Sequence, residues 1–112
     1  MNTMSTKGIA ASRPRAKIVL IAEDDPNDVT LFERAGKTLG CQLDMRVVND
    51  GEEVIAWLAG RNPYNNRDMF PLPDLVVTDL KMPKVGGIEV LAWMRGQRKF
   101  RKFPVVVFTS SD

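Results

Sequence analysis

Two short apolar runs, each ending in carboxylates, constrain this chain more than any other feature in it. Lys17-Ile18-Val19-Leu20-Ile21-Ala22 runs into Glu23-Asp24-Asp25-Pro26, and Leu75-Val76-Val77-Thr78 runs into Asp79 and then Leu80-Lys81-Met82-Pro83. Continuous apolar stretches of this length, closed by polar or turn residues, are what strands buried on both faces of a parallel sheet require. Open parallel sheets bind ligands at the carboxyl ends of their strands. Glu23, Asp24 and Asp79 are therefore expected to meet in one crevice.

Such a cluster needs a counter-charge. Two like charges about 4 Å apart repel by about 4 kcal/mol at an effective dielectric near 20, so a proton or a cation is expected among them. The candidate ligands are all oxygens and the chain contains no histidine, which favours Mg²⁺ over zinc or copper. A calcium loop is not indicated, because no D-x-[DN]-x-[DN]-G pattern occurs.

At 112 residues the chain has room for one small core. Its net charge of +2 points to no special partner: Lys7, Arg13 and Arg15 supply three of the positive charges, leaving −1 for the rest. Met1 to Ala16 is rich in Ser, Thr, Ala and Arg without apolar periodicity, and reads as a disordered leader before a folded unit from residue 17 to 112. It lacks the apolar core of a secretory signal; organelle targeting is the weaker reading of its acid-free, Arg-bearing composition. No run is long and apolar enough to suggest a membrane span. The single Cys41 forms no internal disulfide and suits a reducing cytoplasm.

Along the chain, Asp25-Pro26-Asn27-Asp28 predicts a helix start, with Asp25 as N-cap, Pro26 at the first helical position and Asp28 reaching back as in a capping box. Val29, Phe32, Ala35 and Leu39 recur at helical spacing and Gly40 ends the helix. Gln42 to Val48 alternates as a second strand. Asn49-Asp50-Gly51 opens a second helix through Val54, Ile55, Trp57 and Leu58, closed by Gly60. Arg61 to Pro73 is a long loop, read as a tolerated insertion, with a partner surface as the alternative. Leu75 to Asp79 is the third strand, Gly86-Gly87 opens a third helix through Ile88, Val90, Leu91 and Met94, and Pro104 to Thr109 is the fourth strand. The βαβαβαβ alternation implies a parallel sheet. Arg95, Arg98, Lys99, Arg101 and Lys102 lie near Phe100 and Phe103, superficially a nucleic-acid patch; complementing the third helix's C-terminal end is the favoured reading.

From Lys17 to Ser111 the sequence resembles the receiver domains of response regulators in two-component signalling. The motifs in combination are the acidic pair Glu23-Asp24 after an apolar strand, D-x-x-M-P from Asp79 to Pro83, Gly87 eight positions after Asp79, and Thr109 at the end of the fourth strand. The resemblance implies an α/β, flavodoxin-like (CheY-like) parallel sheet with helices on both faces. It makes Asp79 the phosphoacceptor, with Mg²⁺ held by Asp24, Asp79 and the backbone carbonyl of Lys81, Glu23 acting through water, and Thr109 contacting the phosphoryl group as a switch residue. It implies a histidine kinase in trans as donor, since this chain offers no histidine. The Asp24-to-Asp79 interval of 55 positions, the Asp-Pro-Asn-Asp start and the Phe-Pro-Val-Val-Val-Phe-Thr-Ser strand are similar to stand-alone receivers of phytochrome-type kinases.

The sequence departs from the family pattern after Thr109. The last helix-strand-helix of a receiver, with its fifth-strand Lys, is not in it, so an incomplete C-terminus is expected. In the family's strand order the fourth strand then becomes an edge, and about four apolar side chains losing cover at about 1.5–3 kcal/mol each would rival the stability of a typical domain. A homodimer through that strand, or a swap between copies, is the expected compensation. A phosphorylation-incompetent interaction or dimerisation module is the competing reading. A haloacid-dehalogenase-like phosphatase is disfavoured, because Asp79 has no second Asp two positions on. Output is expected through an unidentified protein partner, without direct nucleic-acid contact.

Overall fold

A computed structural model describes residues 17–40, 42–82 and 84–109; the expected leader, Cys41, Pro83 and Ser110 to Asp112 lie outside the described residues. The elements are β1 (Lys17–Ala22), α1 (Pro26–Thr38), β2 (Leu43–Val48), α2 (Gly51–Ala59), β3 (Leu75–Asp79), α3 (Gly87–Arg95), a 3₁₀ turn (Arg98–Phe100) and β4 (Val105–Phe108). All pairings are parallel and the strand order is β2-β1-β3-β4. Every strand thus ends at the same side of the sheet.

The strands alternate between two unequal apolar layers. Leu20, Ala22, Val48 and Val76 face α2 and α3, where Val54, Trp57, Leu58, Val90, Met94 and Phe100 complete the larger core. Val19, Ile21 and Val77 face α1, with Phe32, Met45 and Phe108 packed around them. One helix about 10 Å wide covers only part of four strands spaced about 4.8 Å apart. On α1 itself the predicted stripe is only half realised: Val29 and Phe32 are half-buried, Ala35 and Leu39 are exposed, and the buried residue is Gly36.

Asp25 caps α1 as expected, its Oδ1 accepting from the Asn27 N–H at 2.9 Å. The expected return bond from Asp28 is not made, because the Asp25 N–H donates to Glu23 Oε1 at 3.3 Å. The Asp50 cap accepts from the Glu53 N–H at 2.9 Å, and Gly60 ends α2 at φ 73, the left-handed conformation that favours glycine.

The loop after α2 is structural, which corrects its reading as a tolerated insertion. The Arg67 guanidinium donates to the Trp57 and Leu58 carbonyls at 2.8 and 2.9 Å, supplying partners that the last turn of a helix lacks. Trp57 Nε1–H donates to the Pro71 carbonyl at 2.9 Å, and the Tyr64 hydroxyl to Glu53 Oε1 at 2.7 Å. Trp57, Tyr64 and Phe70 stack pairwise with ring centroids 5.1–5.2 Å apart. Burial, reinforced by the Glu53 carboxylate, pushes the Tyr64 hydroxyl up to about 12. Arg46 of the edge strand β2 donates to the Met69 carbonyl at 3.1 Å, so the loop also grips that edge.

At the other edge, β4 loses less cover than its apolar sequence predicts. Val106 is 49% exposed, but Val105, Val107 and Phe108 are half-buried. Phe108 meets Phe32 edge-on, with centroids 5.2 Å apart.

Candidate functional site

Glu23 is drawn into the sheet by backbone pairing. Its N–H donates to the Val48 carbonyl at 3.0 Å, extending the β1–β2 ladder by one residue. The carboxylate is only 3% exposed. Oε1 accepts the Asp25 N–H, while Oε2 is buried without a hydrogen-bond partner.

Asp79 closes β3 and is equally buried. The register Ala22↔Thr78, continued by one step, sets Glu23 beside Asp79 with both side chains on the α1 side of the sheet. Asp79 Oδ1 accepts the Lys81 N–H at 3.1 Å, which fixes the carboxylate against the turn that follows. Asp24 lies just beyond β1 and is exposed, as are Lys81 and Thr109. Thr109 directly follows Phe108, which pairs with Asp79 in register and accepts the Leu80 N–H at 2.7 Å. All five predicted site residues therefore stand at one end of the sheet.

These acids feel one another. Burial, then the charges of Asp79, Asp28 and Asp24, push the Glu23 carboxyl up from its ordinary 4.5 to about 7, against the lowering effect of the Asp25 N–H. Among the described residues no three His, Cys, Asp or Glu side chains converge tightly enough to form a ready cage. Mg²⁺ does not require one, since it keeps several waters and uses one or two carboxylates. An all-oxygen donor set with one buried, partnerless carboxylate oxygen suits that hard cation.

The turn after Asp79 is clamped by backbone contacts that sequence reasoning only partly anticipated. A Cβ on Gly87 would lie 2.8 Å from the Asp79 carbonyl and 3.0 Å from Val107 Cγ1, so only glycine lets α3 start this close to the site. Gly51 N–H donates to the Val85 carbonyl at 3.0 Å, joining the start of α2 to the same turn. The second role was hidden because Gly51 reads locally as nothing more than a turn residue.

A buried acid closing the third of four parallel strands, with an acid beside it at the end of the first and a hydroxyl at the end of the fourth, defines a receiver site. The chain belongs to the response regulator receiver domain family, whose model matches residues 19–112. It is 34% identical over 95 residues to response regulator Rcp1 of Synechocystis sp., an alignment covering 85% of this chain and 63% of that protein. The solved structure of the phosphorylated cyanobacterial phytochrome response regulator RcpA is similar at a TM-score of 0.75 and 32% identity, over 87% of this chain and 67% of that one. The Mn²⁺-bound form of Rcp1 is similar at a TM-score of 0.74 and 33% identity, over 85% of this chain and 66% of that one. The expected flavodoxin-like receiver fold is the observed one. No helix among the described residues is long and apolar enough to cross a membrane.

Proposed function

We propose that Asp79 accepts a phosphoryl group from a phosphohistidine on a separate histidine kinase, and that the charge gained there switches protein contacts. The observation carrying this reading is the Asp79 carboxylate, buried at a strand's carboxyl end, held by the Lys81 N–H and paired with the buried Glu23. None of these 112 residues is a histidine, so the phosphohistidine lies outside them. Similarity to proteins named as phytochrome response regulators supports a phytochrome-type kinase as that donor.

In the transfer, an Asp79 carboxylate oxygen bonds to phosphorus as the P–N bond to the donor imidazole breaks, its electron pair returning to the ring nitrogen. The protein contributes position and electrostatics. Asp24, Asp79 and the Lys81 carbonyl would hold Mg²⁺, with Glu23 acting through water; when bound, the cation offsets charge on the phosphoryl oxygens. Thr109 would donate its hydroxyl to one of those oxygens, coupling the new charge to the end of β4.

Mg²⁺-dependent beryllofluoride binding, followed by Trp57 and Trp93 fluorescence, tests the site without the kinase. Saturable binding that is lost in Asp79→Asn is the expected result. No binding by a demonstrably folded chain would overturn it in favour of a phosphorylation-incompetent interaction module.

A further inference from the structure

At the amino end of the strands, opposite Asp79, the last residue of α3, Arg95, and the segment from there to β4 supply five cations, the others being Arg98, Lys99, Arg101 and Lys102. Helix-end electrostatics account for the first of these and not for the rest. The dipole effect fades within the last turn, and α3 ends at Arg95. Arg95 is also consumed internally: its Nη1 donates to the Arg101 carbonyl at 2.6 Å and reaches the Phe100 and Phe103 carbonyls at 3.4 and 3.5 Å.

The remaining four cations are exposed, and among the described residues none of them forms a salt bridge. The segment that carries them is anchored by Phe100. Phe100 is buried between Trp93 and Phe103, with centroids 5.8 Å away on each side, and Lys99 Nζ lies 5.6 Å from the Phe100 ring centre. Arg98, Lys99, Arg101 and Lys102 thus rim a groove of about 490 Å³ whose apolar lining is Phe103 and Pro104.

We infer that this groove docks a short acidic protein segment bearing an apolar side chain, carboxylates meeting the rim and the apolar group meeting Phe103 and Pro104. An extended polyanion fits less well. Apart from these five cations, residues 17–112 carry eight Lys and Arg against fourteen Asp and Glu, a net −6, which repels a long phosphate backbone while leaving a compact acidic segment attracted locally.

Fluorescence anisotropy of a labelled Asp/Glu-rich peptide with one central Leu, titrated with the full chain at low salt, tests this. The expected result is saturable binding that weakens about thirty-fold in Arg98→Glu/Arg101→Glu, where two exposed attractions become repulsions. It should also weaken on replacing the peptide Leu by Ser. A second pair, Lys99→Glu/Lys102→Glu, should act alike, and unchanged thermal melts would establish that both variants fold. Binding unaffected by either pair would assign the attraction to other cations and overturn the inference. So would absence of binding, or tighter binding of a single-stranded oligonucleotide or of phosphatidylserine vesicles than of the peptide.

Discussion

Glu23 should make the stability of this domain fall as pH rises through a range in which most proteins are indifferent. Its carboxyl titrates near 7 in the fold and near 4.5 in the unfolded chain. Between those values the folded state holds a proton that the unfolded state has released, so unfolding is increasingly favoured as pH rises. The gap is about 2.5 pH units, and at about 1.4 kcal/mol per unit it removes about 3 kcal/mol by about pH 8. With the side chain only 3% exposed, solvent screening does little to reduce this. The chain has no histidine, which leaves the range unusually clear of other titrations. Urea unfolding followed by Trp57 fluorescence should give midpoints that decline from about pH 5 to about pH 8. Glu23→Gln should flatten the profile and be the more stable chain at the alkaline end. Mg²⁺ should restore alkaline stability to the native sequence by favouring the ionised carboxylate. A native profile that is flat across this range, or a Glu23→Gln profile with the same slope, would refute the reasoning.

Gly87→Ala should destabilise by about 1–3 kcal/mol, since its Cβ meets the Asp79 carbonyl and Val107; chemical denaturation checks it, and beryllofluoride affinity should fall alongside. Arg67→Ala removes charged donors from the Trp57 and Leu58 carbonyls and should cost about 2–3 kcal/mol, whereas the exposed Arg61→Ala should leave the melting temperature nearly unchanged. Tyr64→Phe keeps the ring stack but loses the bond to Glu53, a cost of about 1 kcal/mol measurable by thermal melts. If β4 pairs with a second copy, sizing at micromolar concentration should show a dimer that Val106→Lys shifts to monomer; a native monomer would rule that pairing out.

The strands were legible because burial on both faces leaves an uninterrupted apolar run, and their shared direction followed from the intervening helices. Asp25 and Gly60 were legible because capping is local. What escaped was non-local. Arg67 stabilises α2 by reaching carbonyls nine and ten residues back, and no periodicity marks an arginine for that task. Asp74 accepts the Ile18 N–H at 2.8 Å, pinning the start of β1 from the chain's far half, yet it reads as an ordinary acid before a strand. At the site, strand ends revealed Asp79 and Glu23, but the depth of Glu23 depended on one extra rung between β1 and β2. The α1 face was misjudged because its buried residue is Gly36, which has no side chain for an apolar pattern to show.

The separation of charge in this molecule follows from its topology. When all strands run one way, the helices that return between them all begin at the carboxyl end of the sheet and finish at the amino end. Helix starts favour anions and helix ends favour cations. Asp25, Asp50 and Glu89 use that preference to cap or brace α1, α2 and α3, while Arg67 and Arg95 bind carbonyls at or beyond the ends of α2 and α3. Structural acids are thereby concentrated where Glu23 and Asp79 stand, and structural bases where the four unpaired cations stand. Burial is the main reason that Glu23 resists ionisation, and the charges of Asp79, Asp28 and Asp24 at that end add to it. A cation entering there would relieve repulsion from Asp28 as well as from its own ligands. Metal affinity at this site should therefore depend on Asp28, whose charge reaches Glu23: Asp28→Asn should weaken Mg²⁺ binding while leaving the Asp25 cap and the fold intact.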